Sequence, residues 1–292
     1  MGESRNPIVF VLGPTASGKS DWALKEAKKN AGVILNADSI QIYRDIHIGA
    51  AKPSLEDQKT VPHFLYDQVP LDLPFTAGDY RRLALKVIEE QVPKAPVYIV
   101  GGSGFYIQAL DKGMFEVGEV SDSVTKEVES FTSNQEVWER LKELDPETAQ
   151  GLSVSDSYRI RRALELVLNE KKTMREIKTQ FAKTQKSLSE KYTVKKIGFN
   201  VNRDELRRRV EKRTSEMLKN GLLDEVRTLI KKGYQNTKAL RSVGYAECVQ
   251  CLSGELEQDQ LQGAIIISTM QLAKRQMTWF RRDTEIDWLS PN

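Results

Sequence analysis

The first hundred residues predict an α/β fold built on a parallel sheet, and three observations carry that reading. Ile8 to Leu12 (IVFVL) and Val97 to Val100 (VYIV) are continuous apolar runs rich in β-branched residues, as strands covered on both faces require. Between them Asp21 to Lys29 and Tyr80 to Gln91 carry apolar residues at helical spacing, so strands and helices alternate. Each strand segment also runs into small or polar residues: a glycine-rich turn after Leu12, Asn36-Ala37-Asp38 after Val33 to Leu35, and Gly101-Gly102-Ser103-Gly104 after Val100. Ligands of such sheets lie at the carboxyl ends of the strands, where these three loops are expected to converge.

From Ser121 onward strand signals thin out. Amphipathic helices are expected at Ser123 to Phe131, Glu136 to Glu143, Ser157 to Asn169 and Met174 to Lys183. One further strand, Lys196 to Val201, precedes helices at Arg203 to Lys219 and Leu222 to Lys232, which are split at Asn220-Gly221. Residues 114–190 therefore read as a mainly α-helical insertion, with 1–113 and 191–292 as the two parts of the core.

Composition is that of an ordinary soluble protein, with 39% hydrophobic and 29% charged residues. No apolar run approaches the ~20 residues of a membrane span, and the first thirty residues lack the zones of a signal peptide, so a cytoplasmic monomer without membrane contact is expected. The net charge of +3 conceals an asymmetry: residues 111–150 carry 4 basic and 11 acidic side chains, residues 151–213 carry 18 and 8. Clustered positive charge attracts a polyanion such as nucleic acid, although a solvated helical face is the commoner origin of a charge run.

Cys248 and Cys251 are the only cysteines and form one C-x-x-C in a helical stretch, which reads as structural thiols. With His47 and His63 the only histidines, a His-based triad or multi-histidine metal site is nearly excluded. Chemistry falls to carboxylates, hydroxyls, lysine and arginine.

Gly13-Pro14-Thr15-Ala16-Ser17-Gly18-Lys19-Ser20 matches G-x-x-x-x-G-K-[ST] at every fixed position, between an expected strand and an expected helix. In such a P-loop, backbone N–H groups wrap a diphosphate, Lys19 neutralises outer oxygens and the Ser20 hydroxyl can ligate Mg²⁺. The fold class is accordingly P-loop NTPase-like, a parallel sheet core flanked by helices. The loop recognises a chain of phosphates rather than ATP or GTP as such. Val97 to Val100 ends in glycine, not in the acid that NTP-hydrolysing relatives use to help hold Mg²⁺.

Asp38, at the end of the second strand, suits a general base or an outer partner of Mg²⁺, and equally a helix N-cap. Ser103 belongs in the same cleft. Arg159, Arg161 and Arg162, and likewise Arg209 and Arg213, are spaced to fork phosphates or to pair with nearby acids. Near the C-terminus Lys274-Arg275-Gln276 and Trp279-Phe280-Arg281-Arg282 interleave basic and aromatic side chains, for stacking on bases or packing on the core. A small-molecule or nucleotide kinase and a non-catalytic RNA-binding protein remain open on these residues alone.

Read together, GPTASGKS (13–20), ADSIQIY (37–43), IGAAKP (48–53), GGSGFY (101–106), LDPETA with YRIRRALEL (144–149, 158–166), RVEKR with GLLDEV (209–213, 221–226), SVGYAE (242–247) and AKRQMTWFRR (273–282) resemble the tRNA dimethylallyltransferases over nearly the whole chain. The resemblance implies transfer of a dimethylallyl group from dimethylallyl diphosphate to N6 of adenosine 37, with Mg²⁺ as cofactor and the tRNA anticodon stem-loop as partner. It implies Asp38 as the base and Ser103, where the family often has Thr, as its assistant at the amine. Lys19, Ser20 with Mg²⁺, and Arg213 would hold the departing diphosphate. The implied tRNA contacts are Asp38, Ser39, Ile40 and Gln41, then Tyr158, Arg159, Ile160, Arg161 and Arg162, and finally Arg241, Ser242, Val243, Gly244, Tyr245 and Ala246. Family members also tend to carry a tRNA-contacting arginine within the stretch 118–131, where this chain has Lys126 as its base.

Overall fold

A computed structural model of the chain describes residues 6–114, 120–182 and 186–290. It divides into two units, residues 1–111 with 187–292, and residues 112–186. The first unit opens with β1 (Ile8–Leu12), α1 (Lys19–Lys29), β2 (Val33–Asn36), α2 (Leu55–Thr60), β3 (His63–Phe64), α3 (Ala77–Gln91), β4 (Val97–Gly101) and α4 (Gly104–Asp111). The second unit holds α5 (Asp122–Ser130), α6 (Asn134–Leu144), α7 (Pro146–Gln150), α8 (Ser157–Glu170) and α9 (Met174–Ala182). The chain then returns to the first unit with β5 (Val194–Phe199), α10 (Arg203–Lys219), α11 (Leu222–Lys231), α12 (Tyr245–Ser253), α13 (Leu261–Phe280) and β6 (Asp287–Leu289).

The sheet runs β3-β2-β4-β1-β5-β6, and every pairing is parallel. All five residues of β1 and of β4 are buried, which is why their sequence shows no alternation. Helix α3 starts at a capping box in which Thr76 and Asp79 satisfy each other's backbone N–H, and it buries Ala77, Tyr80, Ala84 and Ile88 along one face. Among the described residues no helix is long and apolar enough to cross a membrane.

The returning strand differs from its expected span: it starts at Val194 and ends at Phe199 rather than running from Lys196 to Val201. The register decides this, because β1 pairs Ile8 with Val194 and Leu12 with Gly198. Beyond it Asn200 N–H turns to the Leu289 carbonyl at 2.8 Å, and Asn202 caps α10. Strands β3 and β6 and helix α2 were not foreseen; two or three residues are too few to show a period.

The second unit has its own apolar core of Val128, Val137, Leu141, Ile160, Leu164, Val167 and Ile177. Buried Asp145 caps α7 through Thr148 N–H and also accepts Met174 N–H at 2.8 Å, so one carboxylate starts two helices. Of the sequence expectations here, Lys183 at the end of α9 and residues 118–119 of the Lys126 stretch lie outside the described residues.

Candidate active site

The loops after β1, β2 and β4 meet at the carboxyl edge of the sheet. Gly18 takes φ of 87°, a left-handed turn that lets the chain pass from the loop into α1. Gly101 is required by close approach: a Cβ there would lie 2.2 Å from the Ala37 carbonyl oxygen, so only glycine lets the ends of β2 and β4 come together. The loop 13–20 is braced from α10, where Arg209 binds Glu205 at 2.7 Å and donates to the Ser17 carbonyl at 3.1 Å. Arg209 thus supports the loop, while its i+4 neighbour Arg213 faces the cavity.

That cavity measures about 150 Å³. Its polar part is formed by Thr15, Lys19, Ser20, Asp38, Gln41 and Arg213. Its apolar part comes from Ile40, Val210, Met217, Val243, Ile265 and Leu272, with Gly49, Ala50 and Ala51 on one side. Burial pushes the Lys19 ammonium down to about 8, against the pull of Asp38 and with help from Arg213. Burial also lowers Arg213, with Asp38 and Asp21 opposing. Two desolvated cations thus stand beside one carboxylate, an arrangement that an anion of more than one charge would neutralise.

Asp38 closes a turn after β2 rather than capping a helix. Its Oδ1 accepts Ile40 N–H at 2.8 Å and Gln41 N–H at 3.4 Å, which closes the turn after β2 and leaves Oδ2 outside the turn's hydrogen bonds. Asn36 fixes the Asp38 backbone by accepting its N–H at 2.8 Å. The Ser103 oxygen accepts Ser39 N–H at 2.9 Å, so Ser103 stands directly behind the Asp38 turn with its own hydroxyl hydrogen still to donate.

Of the residues expected at a nucleic-acid surface, Ser242, Val243 and Gly244 line the cavity together with Ile40 and Gln41. Arg241 is exposed, whereas Tyr245 is buried and donates its hydroxyl to Glu225. In the second unit Tyr158 is 75% exposed, and exposed Arg159 pairs with Asp156. Ile160 lies in the core, Arg161 binds the carbonyls of Val128 and Phe131, and Arg162 pairs with Glu165.

Sequence reasoning reached Arg213 but missed the rest of the cavity face of α10 and that of α13. Val210, Arg213, Thr214 and Met217 are spaced i, i+3, i+4, i+7, and Ile265, Thr269, Leu272 and Gln276 follow a similar period, so the stripes were visible though their purpose was not. Lys238, outside the cavity lining, was not singled out either: its ammonium donates to the Phe75 carbonyl at 3.4 Å and lies 5.9 Å from the Tyr106 ring, and burial lowers its pKa against the pull of Asp38.

A P-loop on a parallel sheet, opening into a cavity with a strand-end carboxylate and an apolar wall, defines an α/β group-transfer enzyme. The IPP transferase family model matches residues 41–283, and the chain belongs to that family. A tRNA dimethylallyltransferase of Bdellovibrio bacteriovorus is 39% identical over 289 residues, 98% of this chain and 93% of that protein. One from Geobacter metallireducens is 41% identical over 292 residues, again 98% and 93% of the two chains. The solved tRNA isopentenylpyrophosphate transferase of Staphylococcus epidermidis superposes with a TM-score of 0.68 at 31% identity, over 98% of this chain and 93% of that one. A eukaryotic dimethylallyltransferase acting on tRNA shares the fold at a TM-score of 0.84 and 23% identity, covering 98% and 74%. The chain is therefore an enzyme of the prenyl-group transferases.

Proposed function

We propose that this enzyme transfers a dimethylallyl group from dimethylallyl diphosphate to N6 of adenosine 37 in tRNA, releasing diphosphate. The observation that carries the reading is that Asp38 shares one cavity with Lys19 and Arg213 on a diphosphate cradle and with the apolar wall of Val210, Met217, Ile265 and Leu272. The names of the relatives support the substrates.

The N6–C bond forms as the allylic C–O bond breaks, and the bonding pair leaves with the diphosphate. The N6 proton passes to Asp38 Oδ2, and Ser103 orients the amine through its hydroxyl. Negative charge grows on the departing oxygens, where Lys19, Arg213 and the amides of 13–20 already stand, so the barrier falls without reorganisation. The Ser20 hydroxyl lines the cavity and would hold Mg²⁺ together with oxygens of a bound diphosphate, an all-oxygen set that suits this ion. When bound, Mg²⁺ would supply further neutralisation of the leaving group.

The tRNA would be gripped by the cavity rim at Asp38 to Gln41 and Arg241 to Ala246, and by exposed Tyr158 and Arg159 with Arg162. Ile160, Arg161 and Tyr245 would serve by holding those neighbours in place. The adenine has to leave its stack to reach a carbon electrophile held at the carboxyl edge of the sheet.

The test is incubation with Mg²⁺, unmodified tRNA and dimethylallyl diphosphate, followed by nuclease digestion and mass spectrometry. A prenylated adenosine at position 37, formed without ATP, is the expected product. Consumption of ATP with a small acceptor, and no modified base, would instead identify a kinase.

A further inference from the structure

Gln276 reaches from α13 to the phosphate loop, 261 positions away in sequence. Its Oε1 accepts Thr15 N–H at 2.9 Å, and its Nε2 donates to the Gly102 carbonyl at 3.1 Å. With an N–H on one side and a carbonyl on the other, only one orientation of the amide satisfies both, so the side chain is fixed. It is also held tightly, since a Cβ on Gly102 would fall 2.3 Å from Nε2. Thr15, Lys19, Ser20 and Gln276 all line the same cavity.

In loops of this kind successive backbone N–H groups and the lysine cradle consecutive phosphates, and the last phosphate of a triphosphate lies past the lysine over the first half of the loop. Here an uncharged amide already takes the Thr15 N–H in that first half. We propose that Gln276 limits the loop to two phosphates: its side chain stands where a third phosphate would bind, and the site thereby selects a diphosphate donor over a triphosphate. This rests on the reading of the loop as a diphosphate cradle. To seat a third phosphate the protein has to break both hydrogen bonds of Gln276, expel its amide, and leave the Gly102 carbonyl facing anionic oxygens. Two hydrogen bonds of ordinary strength make that a preference of about tenfold or more.

The experiment titrates inorganic diphosphate and inorganic triphosphate, each with Mg²⁺, into the full chain, Gln276→Ala and Gly102→Ala, with folding checked by thermal unfolding. Gly102→Ala leaves Gln276 in the sequence but pushes its amide aside, so it reports on the same space by a different route. Comparing the ratio of the two affinities across proteins cancels the different Mg²⁺ binding of the two anions. The expected result is a shift of the ratio toward triphosphate of about tenfold in Gln276→Ala, and a shift in the same direction in Gly102→Ala. A ratio within about twofold of wild type in the folded variants would overturn the role of Gln276 while leaving the diphosphate reading intact. Failure of the wild-type chain to bind either anion would remove the diphosphate reading, and this inference with it.

Discussion

The Tyr245 hydroxyl donates to Glu225 at 2.7 Å and accepts Ala50 N–H at 3.1 Å, so one buried phenol joins α12, α11 and the loop beside the cavity. The Glu225 carboxylate completes the clamp by accepting the N–H groups of His47, Ile48 and Gly49 at 3.0, 2.9 and 3.3 Å. Gln41 closes it from the other side, donating to the carbonyls of Ala50 and Ala51. Tyr245→Phe keeps the ring but strands the buried Ala50 N–H, at a cost of about 1–3 kcal/mol. Thermal unfolding is expected at a lower temperature than wild type. Because Gly49, Ala50 and Ala51 form a wall of the cavity, KM for the donor is expected to rise more than kcat falls.

Asp38→Asn separates the two duties of this side chain. Asparagine keeps an Oδ1 to accept the N–H groups of Ile40 and Gln41, so the turn survives, but it takes no proton. Transfer is expected to slow by about 10²–10⁴-fold, the range typical of a lost general base. Diphosphate should bind at least as tightly as before, because a negative charge beside Lys19 and Arg213 has gone. Single-turnover rates and equilibrium titration measure the two effects separately; an unchanged rate would end the general-base assignment.

The depressed Lys19 ammonium gives donor binding a pH dependence. With its ammonium pushed down to about 8 by burial, Lys19 is expected to lose its proton near that pH in the free protein, whereas a bound diphosphate would hold it charged to higher pH. Binding therefore takes up a proton above about 8, and affinity is full below that value and falls as pH rises through it. Lys19→Arg stays charged throughout this range, so the ratio of wild-type to variant affinity isolates the effect from titration of the ligand. That ratio is expected to be flat from pH 6 to about 7.5 and to decline by up to about tenfold per unit beyond 8.

What the sequence revealed about the site follows from how locally each part is encoded. The P-loop and the Gly101-Gly102 turn are written in consecutive residues, because glycines with special φ or close approach must sit where the bend is. Asp38 was readable as base or helix cap; the structure shows its Oδ1 closing a turn rather than capping a helix, and its Oδ2 is left outside that turn. Gln276 was legible only as part of a basic and aromatic run. Its partners Thr15 and Gly102 are joined to it by the fold alone, and no spacing along the chain announces them. Arg209 and Arg213 looked equivalent at i and i+4, yet the first is taken up by Glu205 and the Ser17 carbonyl. The C-x-x-C reads the same way in sequence and structure: Cys248 is buried, its thiol pushed up to about 12 chiefly by that burial, as an inert core residue requires.

Lys196 illustrates a feature that no pattern in KIGFNV displays. Its ammonium, on a buried side chain of β5, binds Asp111 at 2.6 Å, Asp283 at 2.8 Å and Glu285 at 2.7 Å, tying the end of α4 and the turn before β6 to the sheet. Burial alone would lower its pKa, but the three carboxylates raise it above the ordinary lysine value. Lys196→Met keeps a side chain of similar length and removes the charge, leaving Asp111, whose side chain is 5% exposed, as a buried carboxylate without this partner. The variant is expected to unfold at a lower urea concentration than wild type, chiefly through the lost 2.6 Å contact to Asp111, since Glu285 is 60% exposed and well solvated. The sign of the pH dependence follows from Lys196. In wild type the raised lysine contributes fully below its unfolded value of about 10.5 and loses that contribution as pH rises above it, so the gap between the two proteins narrows in strong alkali. Urea unfolding at neutral and at strongly alkaline pH measures that narrowing. Hydrogen exchange at Asn200, whose N–H bonds to Leu289 in β6, is expected to quicken in Lys196→Met at pH 7, because β6 then loses the anchor that precedes it. Unchanged exchange there, with stability within about 1 kcal/mol of wild type, would show that the sheet holds β6 without this ion cluster.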